Sequence, residues 1–424
     1  MRTIAILLCF LAAILPEAMA QDVLTAPPAS PATPAAVQEH QAESPFQVFG
    51  PNPLGPASPF VWGPVTLHPS VNYQFTYGNG LQSSPGSQHD SIVQSLSPGL
   101  LMNIGPHWTL DYTPTFTFYS SSAFQNTINH NINVGWGSSY ENWFLSASQG
   151  VSISSNPDTQ TGAQTDQQNY NTALGASYQF NDKMSMDLGL DQNLNFVSYN
   201  GSVTNNNQNL ANSQTWSTTD WLNYKFADRL NAGIGTGLGY TMQQNSANSV
   251  FEQVQGRVNW RATDKLSFQL SGGIQTQQYM TNNANNLLAP LSDCTIQYQP
   301  FEQTRLSLSG SRNVSPSDYQ NQTTENYSLT LDLNQRLLGK LFLDLSGNYS
   351  HTKYHASVTD LATDRNDDTY TFNARLSYAV LKRGNISVFY TYTDNQSSQN
   401  GFANGSDAYS YTSNQVGFDV GYSY

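Results

Sequence analysis

Charge is scarce in this 424-residue chain: 11% of residues are Asp, Glu, Lys or Arg, and 16 basic against 29 acidic side chains leave a net charge of −13. No basic stripe is available to neutralise phosphates, which argues against a nucleic-acid partner. Cysteine is scarcer still. Cys9 sits in a leading apolar run, so Cys294 is the single thiol after it, and neither an intramolecular disulfide nor a thiolate metal cluster is expected. Long apolar runs are missing as well. The leading run is too short to anchor in a bilayer, and no later stretch reaches the ~18 residues of a membrane helix, which excludes a helical membrane protein. Nothing singles out a nucleophile, histidine and acid set, so neither an enzyme nor a cofactor is expected. No metal site is expected either. Thr363-Asp364-Arg365-Asn366-Asp367-Asp368 lacks the glycine and distal glutamate of a regular calcium loop. His351 and His355, on one face of a strand, would lie ~13 Å apart, too far to share a metal.

What the chain does have is alternation. Val416 to Tyr424 alternates apolar or aromatic residues with small or polar ones, so a strand there turns Val416, Phe418, Val420, Tyr422 and Tyr424 one way and Gly417, Asp419, Gly421 and Ser423 the other. An ending of this kind resembles the C-terminal signal (Phe418, Val420, Tyr422, Tyr424) by which the outer-membrane barrel assembly machinery takes up its substrates. The opposite end agrees with export. Arg2, the apolar run Ile4 to Leu15 and the small-x-small site Ala18-Met19-Ala20 form a signal peptide over 1–20. Cys9 lies inside that run and not at the cleavage point, which argues against a lipoprotein. Residues 21–64 are rich in proline and alanine and are expected to form a periplasmic linker, either a disordered tail or a segment whose aromatics (Phe46, Phe49, Phe60, Trp62) dock in the barrel mouth. No plug domain or repeated periplasmic transport module fits in that length.

Residues 65–424 repeat a hairpin plan: an alternating strand, a tight turn, another alternating strand, then a longer Asn, Ser and Gly-rich loop. The tight turns fall at Gly105-Pro106-His107, Tyr140-Glu141-Asn142, Asn181-Asp182-Lys183, Ala227-Asp228-Arg229, Thr263-Asp264-Lys265, Phe301-Glu302-Gln303, Leu338-Gly339-Lys340 and Lys382-Arg383-Gly384. Eight hairpins, one initial strand at His68 to Tyr77 and one terminal strand predict about 18 strands, with 16 to 20 as the range. The fold class is all-β: a transmembrane antiparallel up-and-down barrel with both termini periplasmic. A hydrophobic share of 38% suits this, because a water-filled barrel needs one apolar face whereas a soluble all-β chain of this size needs a larger core. Rings beside the turns (Trp108, Trp143, Tyr178, Tyr224, Trp260, Tyr378) mark an interfacial girdle against outer-membrane lipid. Trp216 to Phe226 breaks the pattern. Its parity sends Asp220 out with Leu222 and Tyr224, which requires a short span or a bulge.

The turns Ala262-Thr263-Asp264-Lys265-Leu266-Ser267 and Phe180-Asn181-Asp182-Lys183-Met184-Ser185 resemble those of uncharacterised Gram-negative single-chain barrels described as "Putative beta-barrel porin 2". The resemblance spans about residues 65–424 and implies, by analogy, solute passage or an exopolysaccharide-linked role.

Phase assigns Asp111, Asp187, Asp191, Lys225, Arg257 and Lys265 to the lumen, followed by Arg305, Asp332, Asp344, Arg375 and Asp419. Such a mixed lining predicts an aqueous pore with little ion selectivity, faintly cation-preferring. Arg305, Asp332, Asp344 and Arg375 have a second reading, as cross-strand pairs holding the barrel's shape. Gly233, Gly235, Gly237 and Gly239 clear space on one inward row, for a packed segment or a sharp bend. The apolar stretch within Asn282 to Asp293 is expected to fold inward as a loop or to form a plug-like turn at the rim. Inward Phe144, Trp221 and Phe389 are either shape-filling or part of a sugar track. The function expected is passive diffusion of small hydrophilic solutes, with a non-conducting accessory barrel or a surface binding protein as alternatives. The sequence leaves the oligomeric state open.

Overall fold

The computed structural model describes residues 60–158, 160–199, 210–281, 284–358, 365–380, 383–399 and 409–424. The 1–20 signal peptide and most of the 21–64 linker therefore lie outside the described residues. Among the described residues every regular element is a strand, and no helix is long and apolar enough to cross a membrane.

A short strand, β1 (Phe60–Trp62), precedes β2 (Val65–Ser84), β3 (Ser87–Ile104), β4 (Trp108–Tyr119), β5 (Thr127–Tyr140), β6 (Trp143–Asp158) and β7 (Ala163–Asn181). The chain continues through β8 (Met184–Tyr199), β9 (Ser213–Ala227), β10 (Leu230–Gln243), β11 (Ser249–Arg261), β12 (Leu266–Tyr279) and β13 (Leu287–Phe301). It ends with β14 (Thr304–Pro316), β15 (Gln322–Leu338), β16 (Leu341–Ala356), β17 (Arg365–Ala379), β18 (Gly384–Gln399) and β19 (Tyr411–Ser423). From β2 to β19 each strand pairs antiparallel with the next, and β19 pairs back onto β2 from Asn414↔Asn79 to Ser423↔Ser70. Nineteen strands less the short β1 give a closed barrel of eighteen. Closure leaves no edge with unpaired backbone groups, the condition for strands in lipid.

Seven of the eight tight turns join the strand pairs that the sequence assigns to them, and β17 and β18 flank the eighth, of which Lys382 lies outside the described residues. Turn chemistry explains their tightness. Gly105 at φ 58° and Glu141 at φ 50° occupy the left-handed region that a two- or three-residue reversal demands. All these turns lie at one end of the barrel; the other end carries the two-residue Pro85-Gly86 turn between β2 and β3 and the longer connections.

The outer surface of the strands is apolar. Leu329, Leu331, Val388, Val416 and Phe418 are between 39% and 55% exposed, while Thr76, Thr117 and Ser387, on inward rows, are 6% exposed or less. Rings collect at the tight-turn end, in the pairs Trp143–Tyr178 at 4.7 Å, Tyr224–Phe226 at 4.8 Å and Trp260–Phe268 at 5.2 Å. A second set, including Tyr349–Tyr370 at 5.1 Å and Tyr170–Phe196 at 6.1 Å, lies toward the loop end. The two girdles bracket the band expected to meet hydrocarbon.

Two expectations need correction. Leu287 to Asp293 is no loop: it begins β13, where Leu288 points outward at 67% exposure and Ala289 is buried. Leu288 and Pro290 lie on its outward row, while Leu287, Ala289 and Leu291 lie on the inward row; Asn282 and Asn283 lie outside the described residues. No bulge rescues Asp220 either. β9 keeps register with β8 (Leu188↔Asp220) and with β10 (Thr236↔Asp220), and the only shift between β9 and β10 is at Leu230/Asn231.

Candidate functional site

The interior divides into a polar wall and a layer of loop contacts at the mouth. On the wall, Arg257 of β11 reaches across β10 and β9 to Asp187 of β8, donating at 2.5 Å, and its Nε donates to Asn223 Oδ1 of β9 at 2.9 Å. Its guanidinium also lies 4.4 Å from the Trp221 ring. The reach is possible because β10 offers glycines on that row. A Cβ on Gly235 would lie 2.6 Å from Trp221, one on Gly233 2.5 Å from Asn223, and one on Gly237 2.3 Å from Gln253. Among the described residues the space is thus filled by side chains of the adjoining strands.

A second arginine repeats the device. Arg375 of β17 crosses β18 at the small residue Ser387 to pair with Asp419 of β19, which also accepts from Ser387 at 3.2 Å. Asp344 stands beside Arg375 in register and accepts from Asn334 at 2.9 Å. Asp332 accepts from Ser307 at 3.1 Å. The cross-strand set read from Arg305, Asp332, Asp344 and Arg375 is therefore rearranged: Arg375 takes Asp419, and Arg305 forms no ion pair among the described residues.

The remaining positions are simpler. Asp111 shares the parity of buried Thr117 and accepts from Thr113 at 3.3 Å. Asp191 is 8% exposed and makes no hydrogen bond among the described residues. Lys225 is drawn to Asp228 in the adjacent turn at 2.8 Å, so its charge lies at the tight-turn rim. Lys265 does not line the wall. It is an exposed turn residue donating to Pro300 O at 2.7 Å. Asp293 was missed because its stretch reads as a loop; on β13 it opposes Ser271 and Ser311 on the inward parity. Trp221 and Phe389 are buried inward at 6% and 5% exposure, and Phe144 packs near Gly137; they lie on separate strands and form no track.

At the loop end the β6–β7 tip folds into the mouth. Thr161, Ala163 and Thr165 are fully buried, and Gln164 bridges to the backbone of Gln125 and Ser155. From nearly the opposite side of the sheet, Ser317 to Tyr319 of the β14–β15 connection comes to meet it. Gln160 donates to Ser317 Oγ at 2.7 Å, Gln243 donates to the carbonyls of Ser317 and Tyr319 at 2.8 and 3.0 Å, and Asn195 donates to Asp318 at 2.8 Å. Arg365 of β17 closes the layer. It donates to Gln160 O at 3.0 Å, pairs with Asp367 at 2.6 Å, and lies 4.1 and 4.0 Å from the rings of Tyr354 and Tyr409. Burial opposes the charge on Arg365, yet Tyr354 and Asp367 beside it raise its pKa above the ordinary guanidinium value. Burial also pushes the Tyr199 phenol up to about 12 and that of Tyr319 well above its usual value. Phenols and guanidinium thus hold fixed protonation states around neutral pH. Sequence reading missed this layer because its members are dispersed polar residues; Arg365 and Asp367 surfaced only within a rejected calcium motif. In the structure Asp367 faces inward with Arg365, while Asp368 bonds His351 at 2.8 Å on the outer side.

Comparison with known proteins gives a family match over part of the chain and a set of distant shapes. Residues 239–422 match the family described as "Putative beta-barrel porin 2". No curated protein matches the sequence. Among solved structures, OccK2 (OpdF) of Pseudomonas aeruginosa is 11% identical, covers 84% of this chain and 98% of its own, and gives a TM-score of 0.46. OccK3 (OpdO) of the same organism is 13% identical over 84% and 95%, with a TM-score of 0.44. OccAB4 of Acinetobacter baumannii is 11% identical over 88% and 100%, with a TM-score of 0.43.

Proposed function

We propose that this chain is an outer-membrane β-barrel of the porin kind and a passive channel for small hydrophilic solutes, narrowed at the loop end by the Arg365 layer. The observation that carries this reading is the inner wall: eighteen strands whose inward rows are mainly Ser, Thr, Asn, Gln and charged residues, a surface that favours water over packed side chains. Asp111, Asp187, Asp191, Lys225, Arg257, Arg305, Asp332, Asp344, Arg375 and Asp419 form its lining, the arginine pairs stiffening the wall and the single carboxylates facing the solute path. The tight-turn end faces the periplasm. Residues 1–20 direct export, 21–64 remain as a periplasmic linker, and Phe418, Val420, Tyr422 and Tyr424 present the outward row to the assembly machinery.

The meeting of loops across the mouth favours a second reading, a barrel sealed at the loop end that serves the envelope without conducting. Single-channel recording separates the two. Residues 21–424, a chain beginning at Phe60 so that β1 is kept, and Arg365→Ala would be compared in planar bilayers. Steps in all three, larger in Arg365→Ala, support the narrowed channel. Silence in 21–424 with steps from Phe60 onward makes the linker the plug. Steps from Arg365→Ala alone make the mouth the seal, and silence throughout leaves a structural barrel.

A further inference from the structure

Asp220 lies where a carboxylate is hardest to place. On the outward row of β9 it stands four residues from Trp216 and four from Tyr224, both exposed, in the two girdles. At the rise of a tilted strand that is ~10 Å from either edge of the apolar band, near its middle. Asp220 makes no hydrogen bond or ion pair among the described residues. Its outward neighbours are Leu188 on β8 and Thr236 on β10. The carboxylates on the outward rows near Tyr327, Tyr349 and Tyr77 are all partnered, Glu325 by Arg312, Asp368 by Tyr349 and His351, and Asp90 by Tyr77.

Polarity on this face extends beyond one residue. Gln149 on β6 and Thr172 on β7 bond each other on the outward side at 2.6 Å, and Thr172 stands in register with Gln192 of β8. Thr218 follows on β9, one outward position from Asp220. The outward rows on the far side of the barrel carry Leu329, Leu331, Phe372, Leu376 and Val388. One lipid-facing side is therefore polar through its middle and the other is not. Ionisable and amide groups within a membrane band sit against protein, because hydrocarbon offers them no partner.

We infer that the β6–β10 face is an interface between copies of this chain. The face carries both halves of the bonds it needs: Asp220 only accepts, whereas the Gln192 amide and the Thr218 and Thr236 hydroxyls donate. A second copy thus meets the requirement without any other component. The size also suits self-association, since five strands ~4.8 Å apart over a ~25 Å band present ~600 Å², toward the ~800 Å² per partner of a standard interface. The surface does not depend on whether the lumen conducts, so it stands or falls separately from the channel reading.

Site-directed crosslinking in outer membranes tests it. In a Cys294→Ser background, Thr218→Cys is expected to give a covalent dimer of this chain under mild oxidation, and Leu331→Cys on the apolar side is not. Adding Asp220→Leu should reduce the Thr218→Cys dimer at least several-fold while the barrel keeps its heat-modifiable migration. Equal crosslinking at Thr218→Cys and Leu331→Cys, no dimer at either, or a Thr218→Cys adduct with a different protein overturns the proposal. So does an Asp220→Leu chain that crosslinks like its parent and unfolds at a higher temperature, the behaviour of a carboxylate that faced only lipid.

Discussion

Gly235 has no side chain because the Trp221 indole fills the space, with ring carbons 2.6 Å from where a Cβ would be. Gly235→Val must therefore push Trp221 off Arg257 and strain the β9–β10 register. A cost of about 1–3 kcal/mol is expected for such overpacking, read as a lowered urea midpoint for loss of the heat-modifiable band. The glycine row at period two is plain in the sequence, and so is its inward phase. Its occupant is not, because neighbouring strands are set by pairing and not by sequence adjacency. The same holds for Arg257 and Asp187, separated by 70 positions yet joined across β10 and β9.

The β6–β7 tip shows why elements were harder to place than residues. Asn156-Pro157-Asp158 and Gly162 are residue types common in turns, and nothing in them announces that Thr161 and Ala163 are fully buried in the mouth. Leu287-Leu288-Ala289-Pro290-Leu291 carries the apolar signal of a buried segment, and it proved to be a strand whose Leu288 and Pro290 face outward while Leu287, Ala289 and Leu291 take the inward row. In a barrel that faces lipid the sign of hydropathy is reversed: apolar means outside, and a polar tip is the one free to enter a wet lumen. Replacing Gln160-Thr161-Gly162 by two glycines removes the contact with Ser317 and the carbonyl that Arg365 bonds. Conductance through residues 21–424 is expected to rise at least about twofold as the narrowest section widens, with circular dichroism unchanged.

Across the molecule the hairpin plan was almost wholly legible, because turn chemistry and a period of two are local properties. Eighteen strands followed from counting turns such as Asn181-Asp182-Lys183 and Thr263-Asp264-Lys265. What counting could not give was the electrostatic balance. Arg257, Arg375 and Arg365 are each held by a carboxylate of their own, and Lys225 leans on Asp228. Asp111, Asp191, Asp293, Asp332 and Asp344, five acids, and Arg305, one base, form no ion pair among the described residues. The lumen is thereby more acidic than the near-cancelling total read from sequence. A cation preference of about two- to fivefold is expected from the reversal potential in a potassium chloride gradient, and Asp332→Asn with Asp344→Asn should lower it.

The pairing of β19 with β2 also has a bearing on how the molecule comes into being. The two strands stand at opposite ends of the barrel sequence, and Tyr424, stacked on Phe60 at 4.2 Å with Arg383 3.9 Å above its ring, fastens that junction beside β1. Every other neighbour is a hairpin partner that can form as soon as it is made. This seam alone must wait for the last strand, and its loop-closure entropy spans the whole chain. Until it forms, each intermediate carries two unsatisfied edges that hydrocarbon will not accept. The final step of assembly is therefore also the step at which the protein becomes able to live in a membrane.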